Sequence, residues 1–133
     1  MKKYLLDCNI ILRLITKDNL ELYQIARTIF NRAENNDYKL IITPIIVAEC
    51  VYVLSSKKLF NISKEKIFLV LKTVFNQKNI ILEEFETIFK ALEIFVLNNM
   101  DFADCYLLAK NQVDNLFGIQ TFDKKIIKYK IEQ

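Results

Sequence analysis

Gly118 and Pro44 are the only glycine and the only proline in 133 residues. Sandwiches and barrels turn often and draw on Gly and Pro to do so. So few of both exclude a turn-rich β fold and favour helices joined by short connections. Apolar residues make up 53% of the chain, enough to fill one core at this length. With no linker, internal repeat or low-complexity stretch, residues 1–133 read as a single domain.

Tyr4-Leu5-Leu6, running into Asp7, predicts a buried and central strand near residues 3–8. Ile10 to Ile15 follow as a short helix. Asn19 caps a longer one, with Leu22, Ile25, Ala26, Ile29 and Phe30 at helical spacing, and Asn35-Asn36-Asp37 stops it. Lys39 to Ile42 reads as a second strand. Thr43 suits an N-cap and Pro44 the first helical position, so a helix runs from there to about Ser55. Asn61-Ile62-Ser63-Lys64 starts another, with Ile67, Phe68, Leu71 and Val74 on one face. Asn79 to Leu82 is a third strand. Helices follow over Glu84 to Leu97 and from Asp101 to about Val113. A fourth strand is expected at Gly118 to Thr121, and a short helix from Asp123.

Strands separated by helices imply parallel pairing through right-handed crossovers. The expected fold is α/β: a three-layer α/β/α sandwich with a central, mainly parallel sheet of four to five strands. Ligands of such sheets bind beyond the carboxyl ends of the strands.

The chain has no histidine, which removes the commonest general base and the commonest transition-metal ligand. Hydrolytic chemistry must then run on carboxylates, hydroxyls, lysines or cysteines, and carboxylates favour the hard cations Mg²⁺ and Mn²⁺. A net charge of +3 permits nucleic-acid binding without arguing for it. The three cysteines are odd in number and widely spaced, so neither a disulfide framework nor a zinc site is indicated. No apolar run spans a membrane, and Asp7 interrupts any export signal, which predicts a cytoplasmic protein.

Four acids stand out. Asp7 ends the first strand, where a carboxylate can bind a ligand or simply cap the next helix. Glu49 lies in Ile45-Ile46-Val47-Ala48-Glu49-Cys50-Val51-Tyr52, a helix apolar on nearly every side. A carboxylate buried there must be neutral, paired with a base or bound to a cation. Asp101 and Asp104 share the first turn of a helix; Asp101 suits an N-cap, and Asp104 suits a capping box or a position beside the core. Asp123 follows the expected fourth strand and competes with Thr121 to cap the last helix. Converging at one sheet edge, these acids would repel and raise each other's pKa. A dication reverses that penalty, so the set predicts a metal site.

At these residues the chain resembles the PIN domain family, and within it the VapC-type toxins of toxin–antitoxin pairs. The matching segments are Leu5-Leu6-Asp7-Cys8-Asn9-Ile10-Ile11 (a D-x-N opening), Val47-Ala48-Glu49-Cys50-Val51 (a central Glu), Asp101-Phe102-Ala103-Asp104-Cys105 (a D-F-A-D helix start) and Thr121-Phe122-Asp123 (a T-x-D close). Together they cover residues 5 to 123. Cys8 stands where Thr is common in the family, and Cys105 where Ala is common; neither departure removes an acid.

The resemblance implies that Asp7, Glu49, Asp104 and Asp123 hold one or two Mg²⁺ or Mn²⁺ ions, supported by Asn9 and Thr121, with Asp101 an auxiliary acid or a cap. It implies RNA as substrate, cut by water that the cation activates, a homodimer, and a cognate antitoxin whose tail covers the acidic pocket. Apolar contacts for such partners are available from Tyr23, Ile29, Phe30, Tyr52 and Phe60, which equally suit the core. A basic rim for RNA would come from Lys57, Lys58, Lys124, Lys125, Lys128 and Lys130, or these are plain solvated lysines. All three cysteines adjoin a proposed acidic ligand, a placement that suggests redox sensitivity; the stronger expectation is that each packs as a small apolar residue.

Other readings fit less well. An aspartyl phosphatase wants a second Asp where Asn9 stands. A receiver domain wants a phosphoacceptor Asp at the end of strand three, where the chain reads Leu82-Glu83-Glu84. The alternative outside enzymes is a catalytically inactive PIN-like module that binds RNA or protein.

Overall fold

The computed structural model describes residues 1–132, with side chains through 129. The chain gathers into two compact units, Met1–Glu84 and Phe85–Gln133.

The first unit is an α/β arrangement. Strands β1 (Lys3–Leu5), β2 (Lys39–Ile42) and β3 (Ile80–Leu82) pair in parallel in the order β1-β2-β3. The register sets Tyr4 opposite Leu40, and Leu40 opposite Ile80. Helices α1 (Cys8–Thr16) and α2 (Leu20–Glu34) connect β1 to β2, and α3 (Pro44–Ser55) and α4 (Lys64–Phe75) connect β2 to β3. With strand order running one way, right-handed connections carry both helix pairs over the same face. Accordingly α1 packs on both α2 and α3. Ile11, Phe30, Ile42, Leu54, Ile67 and Leu71 are fully buried among these elements.

Side chains visible in the sequence set most helix starts. The Asn19 side chain accepts from Leu22 N, that of Thr43 from Ile46 N and that of Ser63 from Lys66 N. Each satisfies a backbone donor that has no partner inside the helix. The near absence of glycine is met by asparagine. Of the six described residues with positive φ, four are Asn36, Asn61, Asn79 and Asn115, the non-glycine type best suited to left-handed backbone.

The second unit is helical: α5 (Phe85–Leu97), α6 (Phe102–Val113) and α7 (Lys124–Glu132). Helices α5 and α6 form its main packing, with Ile88, Leu92, Cys105 and Leu108 buried. The rings of Phe95 and Phe102 meet edge to face at 6.0 Å. No helix among the described residues is long and apolar enough to cross a membrane.

Four expectations change. The fourth strand at Gly118 to Thr121 is absent: the segment is irregular, and the described residues give it no ladder partner. Without that partner β1 is an edge strand and β2 the central one. For the same reason β1 is not buried; Lys3, Tyr4 and Leu5 are all exposed, and the chain turns inward only at Leu6. The strand is also shorter than residues 3–8, because the Asp7 carboxylate starts α1 at Cys8, two residues ahead of the expected Ile10.

Candidate active site

In the first unit, Asp7 follows β1 by two residues and sits at the N-cap of α1. Its Oδ1 accepts the Cys8 N–H at 2.8 Å. The capping role open to this residue is therefore real, but it occupies one carboxylate oxygen, and the side chain stays exposed. Asn9 is exposed on the first turn of α1, and among the described residues no hydrogen bond joins its amide to a carboxylate.

Glu49 corrects the sequence reading. Its apolar neighbours predict a desolvated setting, yet it is exposed. Helix α3 buries Val47, Cys50, Val51 and Leu54, while Ile45, Glu49 and Tyr52, at positions i, i+4 and i+7, form the opposite stripe. Ile45 and Tyr52 are 79% and 72% exposed. A helix apolar all round carries no signal for which stripe will be left outside. Among the described residues Glu49 has no ion-pair partner, so the buried-pair alternative also falls.

Asp7 and Glu49 share a neighbourhood marked by sulfur. Cys8 and Cys50 are both buried, and the Cys50 thiol donates to the Cys8 sulfur at 3.3 Å. That bond holds the Cys8 thiol below its ordinary value of 9.0, against burial and the negative charges of Glu49 and Asp7. The same bond, then burial, then the charges of Cys8, Glu49 and Asp7 push the Cys50 thiol up. The sequence predicts that each cysteine packs as a small apolar residue. They do pack in the core, but two of them meet. The only sequence hint is that each follows a proposed ligand directly.

In the second unit, Asp101 occupies the N-cap of α6 without making a side-chain capping bond. Nor do the described residues show Asp104 reaching back to complete a capping box. Asp104, in the first turn, is half-buried. Its carboxyl is raised above the ordinary 3.8 by burial first, then by the charges of Asp123 and Asp101, with Lys125 opposing. Asp123 caps α7: its Oδ1 accepts from Lys125 N at 2.8 Å and Ile126 N at 3.0 Å. The Thr121 hydroxyl accepts from Asp123 N at 2.9 Å and so supports the turn that presents the acid.

The expected basic positions fall in both units. Lys57 and Lys58 are exposed just after α3, and Lys124, Lys125 and Lys128 are exposed on α7. Lys130 lies outside the described side chains. Lys125 Nζ donates to Asn99 O at 2.9 Å, beside a cleft of about 250 Å³ that Lys128 and Tyr129 also line. Of the apolar partner candidates, Tyr52 is exposed, Phe30 is buried, and Tyr23, Ile29 and Phe60 are half-buried.

Among the described residues, no three His, Cys, Asp or Glu side chains gather tightly enough to hold a metal ion. The donor chemistry nevertheless suits a hard dication: the acids offer only carboxylate oxygens, and the charges around Asp104 favour a nearby cation.

The described residues form a parallel α/β unit and a helical unit, with acids on α3 and at the N-termini of α1, α6 and α7, in a chain without histidine. The sequence profile of the PIN domain matches residues 4–132, and the chain belongs to the PIN domain family. No curated protein matches the chain significantly. PIN domains are typically nucleases and generally use divalent metal ions.

Proposed function

We propose that this chain is an endoribonuclease, hydrolysing RNA phosphodiester bonds with Mg²⁺ or Mn²⁺, and that it acts as the toxin of a toxin–antitoxin pair. The observation that carries this reading is the carboxyl group of Asp104. It is half-buried near Asp123 and Asp101; burial first, then the charges of those two acids, oppose its ionisation, and a dication would relieve that penalty.

In this proposal Asp7, Glu49, Asp104 and Asp123 hold the cation, and Asp101 and Asn9 support them. When bound, the cation supplies positive charge that acidifies water and stabilises the oxygens of the phosphoryl group under attack. The protein's own part is placement. Asp7 and Asp123 are each fixed by backbone N–H groups through one oxygen. Thr121 holds the backbone at Asp123. Lys124, Lys125 and Lys128 offer positive charge to an RNA backbone that the acids would otherwise repel. A cognate antitoxin and a second copy of the chain are the proposed partners; exposed Ile45 and Tyr52 on α3 support an apolar contact.

One observation favours a second reading, a PIN-fold module that binds RNA or protein without cutting: Asp7 and Asp123 each bond backbone N–H groups at a helix start, a role that needs no metal. RNA cleavage with Mn²⁺, compared with Asp7→Asn and Glu49→Gln, decides between them. The nuclease reading expects each variant to lose at least about tenfold in cleavage. Equal cleavage by wild type and both variants removes it. Calorimetric titration with Mn²⁺ adds a second test, because a binding module takes up no metal through its carboxylates.

A further inference from the structure

Cys8 and Cys50 stand 42 residues apart in sequence and sulfur to sulfur in space, 3.3 Å apart. Cys8 opens α1 and Cys50 lies in the second half of α3. A disulfide needs its sulfurs at about 2.05 Å. Closing the remaining distance takes rotation about the two side chains together with an approach of the start of α1 to α3. Packing alone accounts for a buried cysteine. It does not require two of the three to face each other from helices joined through the core.

We propose that Cys8 and Cys50 are a site of reversible oxidative crosslinking, with a peroxide as the oxidant. The Cys8 sulfur takes one oxygen from the peroxide, becoming a sulfenic acid as one water is released. The Cys50 thiol then attacks that sulfur; the S–S bond forms, the S–O bond breaks, and the thiol proton leaves with the hydroxyl as a second water. The two thiols together give up two electrons, which reduce the peroxide. A dithiol reductant reverses the link by exchange. Both sulfurs are buried, so oxidation proceeds through opening of the first turn of α1, a helix end held at Asp7 by the side-chain bond from Cys8 N and the carbonyl bond from Ile10 N. That favours Cys8 over Cys50, which lies well inside α3, as the thiol attacked first.

The link has a consequence that rests on the nuclease reading above. Cys8 and Cys50 directly follow Asp7 and Glu49. Drawing the sulfurs together displaces the start of α1 against α3 and changes the spacing of those two acids. A displacement of about 1 Å in reacting geometry is worth up to about a hundredfold in rate. Oxidation is therefore expected to lower RNA cleavage by more than about tenfold, with recovery on reduction.

The test uses the full chain, freed of reductant, exposed to hydrogen peroxide, then denatured and alkylated for intact and peptide mass measurement. The expected result is a monomer lighter by two hydrogens, with Cys105 alone alkylated and the peptides holding Cys8 and Cys50 joined. Cys8→Ala should keep both remaining thiols alkylatable, and Cys50→Ser should form no crosslink and carry at most one added oxygen at Cys8. Three alkylated thiols after peroxide, a link to Cys105 or a link between two chains overturns the proposal. This readout needs no nuclease activity and no variant that folds. If the crosslink forms and cleavage by the wild type is the same before and after, the coupling to Asp7 and Glu49 is overturned. If the reduced wild type cuts no RNA, the nuclease reading fails and the crosslink stands.

Discussion

Asp123 is both a proposed metal ligand and a helix cap, and two substitutions separate the roles. Its Oδ1 accepts from the N–H groups of Lys125 and Ile126, and Ile126 is fully buried. The first turn of α7 holds no acid of its own and begins with Lys124 and Lys125, so Asp123 is the negative group at the positive end of that helix. Asp123→Ala removes the cap, at about 0.5–2 kcal/mol, and the favourable charge–dipole term, at about 0.3–1 kcal/mol. Their sum, about 0.8–3 kcal/mol, corresponds to a Tm lower by about 3–11 °C for a chain of this length. Asp123→Asn keeps an oxygen acceptor and loses only the charge, so its Tm should fall by no more than about 3 °C. Thermal melts and Mn²⁺-dependent RNA cleavage measured on the same preparations read both roles. Asn should retain most of the stability and lose at least about tenfold in cleavage. If Asn cleaves as wild type does, Asp123 is only a cap and leaves the ligand set. If Asn destabilises as much as Ala, the two backbone bonds are not what the side chain contributes.

Two further expectations follow from the charges of the second unit. Asp104 has a folded pKa above its ordinary 3.8, so the folded state binds this proton more tightly than the unfolded state does. Its charge therefore costs stability at pH values above the folded pKa, and the cost disappears as pH falls to 3.8 and below. Asp104→Asn should raise Tm at neutral pH without metal and match wild type in acid; a variant less stable at neutral pH would contradict the sign. For the basic positions, Lys124→Ala and Lys125→Ala together should flatten the salt dependence of RNA affinity by about 0.7–0.9 in log–log slope for each phosphate no longer neutralised. An unchanged slope assigns both lysines to solvent.

What the sequence made legible was local. Thr43-Pro44, Asn19 and Ser63 carry their helix starts in their own side chains, and those starts fall where the residues predict. Asparagines at 36, 61, 79 and 115 mark breaks because they can take up positive φ. What was not legible depends on partners distant in the chain. Gly118 to Thr121 has a composition compatible with a strand, but a strand exists only with a neighbour, and its absence moves β1 from the centre to the edge. Glu49 is hidden from the sequence for a related reason. Apolar residues all round α3 report that the helix suits a core, not which stripe the core will cover. The meeting of Cys8 with Cys50 likewise depends on how α1 packs against α3, which no spacing along the chain encodes.

The acids as a set also revise the electrostatic premise drawn from the sequence, in which the carboxylates tolerate one another only because a dication lies among them. Asp7 and Asp123 bind backbone N–H groups at helix N-termini, where the helix dipole favours negative charge without any metal. Asp101 has a helix N-terminus beside it even without a side-chain bond. Glu49 is exposed and keeps its hydration. Asp104 alone shows its charge opposed by burial and by other acids. Local structure or hydration therefore accommodates four of these five acids, and the chain should fold without a cation. Metal would then act on the remaining strain at Asp104, so the stabilisation that Mn²⁺ gives the wild type should be largely missing from Asp104→Asn. Equal stabilisation of both by Mn²⁺ would place the ion away from Asp104 and take that residue out of the proposed ligand set.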